Sequence, residues 1–456
     1  MKLHTIRVLM LALCASSLPL AAQDYDLLLK GGHVIDAKNN IDGVMDVAIK
    51  DGLIARVAAD IPPASAVKSV TVTGLYVTPG LIDIHTHSYA DQPGMLDHGV
   101  EPDDFTFRNG ITTVVDAGSS GWRTFPEFKE HIIDRSKTRV LAMLNIVGAG
   151  MIGGATEQNL SDMQAEPTAA MALKYPGVIV GIKSAHFSGP EWLPYEQSVK
   201  AGTIAHIPVM IDYGSRRIER PMHELLERVL RPGDIYTHMY SGLRGEQDSQ
   251  TGGIGRGMKE GRARGVIFDV GNGSGSFSWT VAVPLVKAEF LPDSISTDLH
   301  THSMNSDMKN LLNVGDKFLA LGLPLKDVVA DMTWHPAREI LQPQLGNLSV
   351  GSPADVAVLS VLHGTFGLQD MYNTVFIGHD RMVCELTVRA GKVVYDLDGL
   401  TGDAWDAPPS AGNRQSRRWS TLGERGFGTG RRAPQTGTTP PAVRPPAWLP
   451  YPQPQP

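Results

Sequence analysis

Short apolar runs recur eight times between residues 77 and 298, and longer stretches with helical potential separate them. Runs that are apolar throughout, rather than alternately apolar and polar, are typical of parallel strands covered on both faces. Eight such strand–helix units predict an α/β fold, specifically a (β/α)8 TIM barrel over residues 77–343. The eight runs are Val77–His87, Ile111–Asp116, Val140–Ile146, Val178–Lys183, Ile207–Asp212, Asp234–His238, Val266–Val270 and Ser294–Asp298.

The two ends of the chain have a different pattern, in which short strand-like segments alternate with turn residues. We therefore predict that residues 23–76 and 344–400 are the N-terminal and C-terminal parts of one small β-sandwich beside the barrel. Residues 401–456 hold 11 of the 31 prolines together with scattered Gly and Arg. This composition predicts a disordered Pro/Gly/Arg-rich tail.

The first 22 residues have the pattern of a secretory signal. Lys2 and Arg7 precede an apolar run that is too short to span a bilayer, and small residues follow as far as Ala22. We predict a signal peptide over residues 1–22, export to the periplasm or the medium, and no membrane span in the mature chain. Cleavage would leave Cys384 as the one remaining cysteine, which excludes an internal disulfide.

The formal net charge of −7 is unevenly distributed along the chain. Residues 1–22 carry +2 and residues 401–456 carry +4, which leaves −13 for residues 23–400. An acidic body argues against nucleic acid as the main partner. A small-molecule substrate is the expected partner. The sequence is compatible with a homo-oligomer but does not require one.

Polar residues of metal-binding types end five of the eight apolar runs. The active-site groups of a barrel lie at the carboxyl ends of its strands, so these side chains are expected to meet at one face. Imidazole and carboxylate groups are common ligands of divalent metals, and together they predict a metal site. The residues are His85, His87, Lys183, Asp212, His238 and Asp298.

Lys183 has two interpretations that the residues alone leave open. A buried ammonium beside metal ions is disfavoured, and the neutral amine can react with CO2 to give a carbamate whose two oxygens can bridge two metals. The alternative is a lysine that forms a salt bridge with a nearby carboxylate.

Four segments resemble the motifs of the amidohydrolase superfamily, most closely those of deacetylase-like metallohydrolases related to dihydroorotases and D-aminoacylases. The resemblance covers residues 25–400 and implies a (β/α)8 barrel with two divalent ions, Zn²⁺ being the expected metal. It implies that His85, His87 and Asp298 hold one ion, that carboxylated Lys183 bridges, and that His238 holds the other. The segments are residues 79–87, Gly181-Ile-Lys183, Thr237-His238 and Ser296-Thr-Asp298.

Asp212 departs from the pattern of the resemblance, because many members of the superfamily have a histidine at the end of the fifth strand. A carboxylate there can ligate a metal directly. It can instead orient His238 from outside the ligand set. Both roles stay open at the level of the sequence.

The predicted site implies hydrolysis by metal-activated hydroxide. Asp298 is predicted to be the general base that takes the proton of the attacking water and the general acid that passes it to the leaving nitrogen. Four further residues follow the strand ends and are predicted to contact substrate, although each could equally be a polar group that packs a loop. They are His186, Tyr240, Asn272 and His300.

These observations predict a metal-dependent hydrolase of carbon–nitrogen bonds that deacylates N-acyl amino acids or opens a related cyclic amide. One alternative is an esterase or lactonase that uses the same site. A second alternative is a non-catalytic binding protein built on a barrel, which Asp212 alone favours.

Overall fold

Two β-sheets organise the part of the chain that this computed structural model describes, which comprises residues 23–90 and 99–404. The predicted signal peptide lies outside the described residues, as does the predicted tail from residue 405 onward. The described strands, in chain order, are β1 Tyr25–Asp36, β2 Ile41–Lys50, β3 Leu53–Ala58, β4 Ala66–Thr71, β5 Tyr76–Pro79, β6 Leu81–Thr86, β7 Ile111–Gly121, β8 Arg139–Asn145, β9 Ile179–Ser184, β10 Val209–Ile211, β11 Ile235–Tyr236, β12 Ile267–Phe268, β13 Val356–Gln369, β14 Val375–Arg389 and β15 Lys392–Asp396.

The first sheet is parallel and runs in sequence order from β6 to β12. It contains seven of the eight predicted strands, which confirms that part of the prediction. The eighth run, Ser294–Asp298, forms no extended ladder among the described residues. Isolated parallel bridges nevertheless join this run and its neighbour to both edges of the sheet, between Ser294 and Asp269 and between Leu299 and Thr86.

The second sheet is mixed and takes strands from both ends of the chain, as predicted. Its order is β15-β14-β13-β5-β1-β2-β3, and β4 pairs with β1. The contact between the two ends is the antiparallel pairing of β13 with β5, in which Val356 lies opposite Pro79 and Val358 lies opposite Val77. Val77, Val356, Val358 and neighbouring aliphatic side chains form a buried core of their own on this sheet.

The predicted first barrel strand, Val77–His87, is in fact two strands. Residues as far as Pro79 belong to the mixed sheet, and the parallel sheet begins at Leu81. A Cβ atom on the intervening Gly80 would lie 2.2 Å from Thr112 Oγ1, so any other residue there would collide with β7. The chain therefore changes sheets within one residue, which an apolar pattern cannot show.

Helices connect the parallel strands and cover the outer face of their sheet. The described α-helices are α1 Pro102–Phe105, α2 Phe125–Phe128, α3 Ala165–Lys174, α4 Leu193–Ala205, α5 Met222–Glu224, α6 Arg256–Ala263, α7 Trp279–Lys287, α8 Thr301–Met304, α9 Leu311–Ala320, α10 Leu325–Asp331 and α11 Trp334–Glu339. Five-residue π-helical turns follow α2 and α5. No helix in these described ranges combines the length and the apolar character needed to cross a membrane.

The parallel sheet buries side chains on both faces, as its continuous apolar runs require. One group of buried aliphatic residues includes Ile84, Val115, Met143 and Val180 and packs with Ile340 after α11. The larger group, on the helix-covered side, includes residues of α4, α7 and α9. The polar residues that end these strands are therefore fixed to a rigid base.

Candidate active site

Two histidines at the carboxyl end of the first parallel strand, His85 within β6 and His87 just after it, meet an aspartate from the eighth run. His87 Nε2 lies 3.0 Å from Asp298 Oδ1, and His85 Nε2 lies 3.5 Å from the same oxygen. One ligand atom from each of the three residues falls within 4.8 Å of the others. Within residues 23–90 and 99–404, this is the one convergent group of three His, Cys, Asp or Glu side chains found.

Asp298 and the first histidine have environments that favour opposite charge states. Burial lowers the pKa of His85 well below its ordinary value, so the imidazole is held neutral as a metal ligand requires. Burial alone would raise the pKa of Asp298, but the neighbouring His85, His300 and His87 hold it well below its usual range. Asp298 also has a left-handed backbone (φ 53°), a conformation that is uncommon for residues other than glycine and recurs at functional sites.

Lys183 lies at the end of β9 with its side chain buried to 1% exposure. Its Nζ is 2.8 Å from His85 Nε2 and 3.6 Å from Met210 Sδ. No ion pair between Lys183 and a carboxylate is found in the described part of the chain, and both interpretations of Lys183 stay predictions. Burial lowers the pKa of Lys183, although Asp212 and Asp298 oppose that effect.

Asp212 follows β10, and His238 lies two residues after β11. In the strand order, β10 and β11 lie on one side of β9, which carries Lys183, and β6, which carries His85, lies on the other side. Asp212 Oδ2 is 3.7 Å from His238 Nε2 and 3.4 Å from His186 Nε2. The His238 Nδ1–H donates to the carbonyl of Gly271 over 2.6 Å, so its Nε2 carries the lone pair. Burial lowers the pKa of His238 to about 3.

Arg244 forms an ion pair with the other carboxylate oxygen of Asp212. Its Nη2 donates to Oδ1 over 2.9 Å, while its Nη1 donates to Ser241 and its Nε donates to Gly214. Burial would raise the pKa of Asp212, but Arg244 and then His238 keep it far below its ordinary value. Asp212 is therefore a carboxylate with one oxygen held by a cation and the other directed at two histidines.

A cavity of about 530 Å³ lies over these groups. His186 and His300, which the sequence predicted as substrate contacts, both line it. The His186 Nδ1 is 2.9 Å from Glu157 Oε2. Burial disfavours the charged imidazole, yet the hydrogen bond to Glu157 and the nearby Asp212 raise the pKa of His186 to about 9.

The other two predicted substrate contacts, Tyr240 and Asn272, do not line this cavity. Tyr240 is fully buried among aromatic rings, and its hydroxyl donates to the carbonyl of Phe290. Asn272 is also fully buried, and its amide is bonded to Asp307 and Lys317. The structure thus places both residues in buried packing contacts away from this cavity.

The donor atoms of the site fit a divalent metal. His85 and His87 direct Nε2 toward Asp298 while their Nδ1 atoms contact Thr237 and Ser119. Neutral imidazoles whose second nitrogen is bonded elsewhere, together with a carboxylate, are a common ligand set for Zn²⁺ and similar ions.

No family model matches the chain. A deacetylase from Brucella anthropi is 31% identical over 330 residues, which cover 70% of this chain and 80% of that protein. A deacetylase from Agrobacterium fabrum is 30% identical over 68% of this chain and 77% of its own length. The chain belongs to the amidohydrolase superfamily. This confirms the predicted family and the prediction of an enzyme that hydrolyses carbon–nitrogen bonds other than peptide bonds.

Solved structures of other amidohydrolases give the same result. A crystal structure of an adenine deaminase has a TM-score of 0.75 and 28% identity, and the match covers 82% of this chain and 100% of that one. A dihydroorotase structure has a TM-score of 0.71 at 28% identity, covering 81% of this chain and 99% of the other. Members of this superfamily depend on metal, in keeping with the group formed by His85, His87 and Asp298.

Sequence reasoning missed several residues that build the site of this amidohydrolase. Arg244 and Glu157 lie in loops, and no local pattern marks them as partners of Asp212 and His186. Thr237 stands within the Thr237-His238 motif, and nothing in the motif marks it as a partner of His85. The one available signal was that Asp269 interrupts the seventh apolar run, Val266–Val270, where a buried carboxylate needs partners.

Proposed function

We propose that this amidohydrolase deacylates N-acylated amino acids or opens a related cyclic amide. The observation that carries the proposal is the convergence of His85, His87 and Asp298 beside buried Lys183, under a cavity with cationic groups at its wall. His186 and Arg244 both line that cavity. They suit a substrate that carries a carboxylate.

In this proposal His85, His87 and Asp298 would hold one divalent ion, with Zn²⁺ as the expected metal. Lys183, as the carbamate formed with CO2, would bridge to a second ion held by His238, with Asp212 beside it. When bound, the ions supply Lewis acidity for the substrate carbonyl and lower the pKa of a water molecule. Because Arg244 already occupies one oxygen of Asp212, that residue has a single oxygen to offer.

Asp298 would carry out the proton transfers. Its carboxylate accepts a proton from water as the water oxygen bonds to the carbonyl carbon. It then gives that proton to the leaving nitrogen as the carbon–nitrogen bond breaks, which yields a carboxylic acid and a free amine. The low pKa of Asp298 keeps it in the carboxylate form at neutral pH.

The wider architecture extends the same proposal. We propose that the bridges at Ser294 and Leu299 mark the closure of the parallel sheet into a (β/α)8 barrel, and that the mixed sheet is the accompanying β-sandwich. The TM-scores to the adenine deaminase and dihydroorotase structures support this. Export to the periplasm or medium, directed by residues 1–22, remains part of the proposal.

Metal analysis and a matched substrate panel test the function. The purified protein is expected to hold about two divalent ions per chain, as in two-metal hydrolases, and to cleave N-acetyl amino acids faster than lactones or esters of similar size. Fewer than about one ion per chain, with no gain in thermal stability on addition of Zn²⁺, would contradict the proposal. Faster turnover of lactones would assign the site to ester chemistry instead.

His186→Gln tests the recognition of a substrate carboxylate. A hydrogen bond to a charged group contributes about 1.5–3 kcal/mol, so KM for an N-acetyl amino acid should rise about tenfold or more. KM for the corresponding N-acetyl amino acid amide should change little, because that substrate lacks the charge. An equal rise for both substrates would show that His186 acts on the site as a whole. His363→Gln, at an exposed residue of β13, is the control.

A further inference from the structure

A chain of buried hydrogen bonds leads from His85 away from the cavity. His85 Nδ1 is 3.0 Å from the Thr237 hydroxyl, which donates to Asp269 Oδ2 over 2.6 Å. Two more hydroxyls donate to the same carboxylate, Ser296 over 2.8 Å and Ser294 over 3.0 Å. Asp269 is fully buried, does not line the cavity and lies outside the group formed by His85, His87 and Asp298.

The donors and acceptors in this chain can be assigned by counting. A carboxylate only accepts hydrogen bonds, and a threonine hydroxyl has one proton to give. Since Thr237 gives its proton to Asp269 in the shorter contact, its oxygen can only accept from His85. The proton on neutral His85 must therefore reside on Nδ1, which leaves a lone pair on Nε2.

The other side of the ring supports the same assignment. His85 Nε2 lies 2.8 Å from Lys183 Nζ, a nitrogen whose protons can be donated to that lone pair. His238 reaches the same tautomer by another route, since its Nδ1 donates to the backbone carbonyl of Gly271. A backbone carbonyl cannot change from acceptor to donor, whereas a hydroxyl can. The tautomer of His85 thus depends on the group that accepts the Thr237 proton, which is Asp269.

We infer that Asp269 is a positioning residue that acts through the Thr237 hydroxyl to keep the His85 proton on Nδ1 and its lone pair directed at the metal position. The inference rests on the proposed role of His85 as a metal ligand. It assigns Asp269 a function outside the ligand set, exerted across two hydrogen bonds. Partners of this kind orient ligating histidines, and their loss weakens metal binding.

Asp269→Asn and Thr237→Val test the inference on the metal-free protein. In Asp269→Asn, the new amide can donate to Thr237, which frees the hydroxyl proton for His85 Nδ1 and moves the imidazole proton to Nε2. In Thr237→Val, which keeps the side-chain shape, the acceptor is lost and both tautomers should be populated. Imidazole ¹⁵N NMR on His-labelled protein, with His85 assigned by substitution, reports the tautomer. In both variants, competition with a chromogenic chelator should show a zinc Kd about 10- to 100-fold higher than that of the wild type.

Ser294→Ala is the matched control, because it removes a buried hydroxyl from Asp269 without breaking the path to His85. It should keep the Nδ1–H tautomer and the zinc Kd. The inference is overturned if His85 keeps Nδ1–H in Thr237→Val and Asp269→Asn, or if Ser294→Ala weakens zinc as much as Thr237→Val does. Should Asp269→Asn fail to fold, Thr237→Val and Ser294→Ala decide alone. A wild-type protein with the Nδ1–H tautomer but no hydrolysis would contradict only the proposed function.

Discussion

Asp298→Asn is expected to lower kcat by about 10²- to 10⁴-fold, the range that a positioned general base contributes. An asparagine of the same shape can still contact His87 but cannot accept a proton from water. The carboxylate has the geometry for its role, since its Oδ1 lies within 3.5 Å of both His85 and His87. Steady-state kinetics with an N-acetyl amino acid, together with circular dichroism, should show lost turnover in a folded protein.

Asp327→Asn provides the control for this substitution, because Asp327 is an exposed carboxylate in the first turn of α10. It should leave kcat and the circular dichroism spectrum unchanged. Metal content separates two causes of a low kcat in Asp298→Asn. A variant that retains at least one ion per chain and yet turns over slowly supports proton transfer by Asp298, whereas near-normal turnover would contradict that role.

Lys183→Ala is expected to have the second large effect. Loss of a residue that only hydrogen-bonds a metal ligand lowers metal affinity or activity about 10- to 100-fold. Loss of a bridging ligand should therefore lower kcat by more than about 100-fold. The bound metal should fall from two ions toward one. A short carboxylic acid such as acetate or propionate should restore part of the activity, because its carboxylate can take the place of the carbamate in the space left by the side chain.

The chain supplies its own control for carbamate formation, since Lys317 is a second fully buried lysine. Its Nζ is held by Asn272 over 2.7 Å and by Asp307 over 3.3 Å, so it has a carboxylate partner, which Lys183 does not have among the residues that the structure describes. After incubation with ¹³C-bicarbonate, a carbamate signal should be present in the wild type and in Lys317→Met, and absent in Lys183→Ala. Full activity of Lys183→Ala without added acid would contradict the bridging role.

The strand ends could be predicted because their positions follow from two local rules. Continuous apolar runs mark buried parallel strands, and parallel strands deliver their last residues to one edge. These rules alone predict that His85, Lys183, Asp212, His238 and Asp298 lie at one edge of the sheet. They need no knowledge of loop shape.

The placements that differ from the sequence prediction lie where the chain leaves the strands. Tyr240 comes two residues after His238, and alternate residues of a regular strand would share a face. The strand β11 ends at Tyr236, however, and His238 has a left-handed backbone (φ 63°), so the alternation no longer holds. Asn272 lies between Gly271 and Gly273, which both have positive φ, and the resulting turn directs its amide toward Lys317.

Arg244 could not be predicted for a related reason. It reaches Asp212 from a loop 32 residues further along the chain, and its contact depends on the path of that loop. The sequence shows an arginine among glycines and gives no indication that its guanidinium is buried. The role of Asp212, left open by the sequence, depends on this partner.

At Gly80 the chain passes directly from the mixed sheet into the parallel sheet, so the two sheets are joined by a single residue. There is no linker between the strand that pairs with the C-terminal segment and the strand that leads into His85. The mixed sheet is therefore not an appendage that could be exchanged as a module without consequence for catalysis. Any displacement of the N-terminal strands would be transmitted along the backbone to His85.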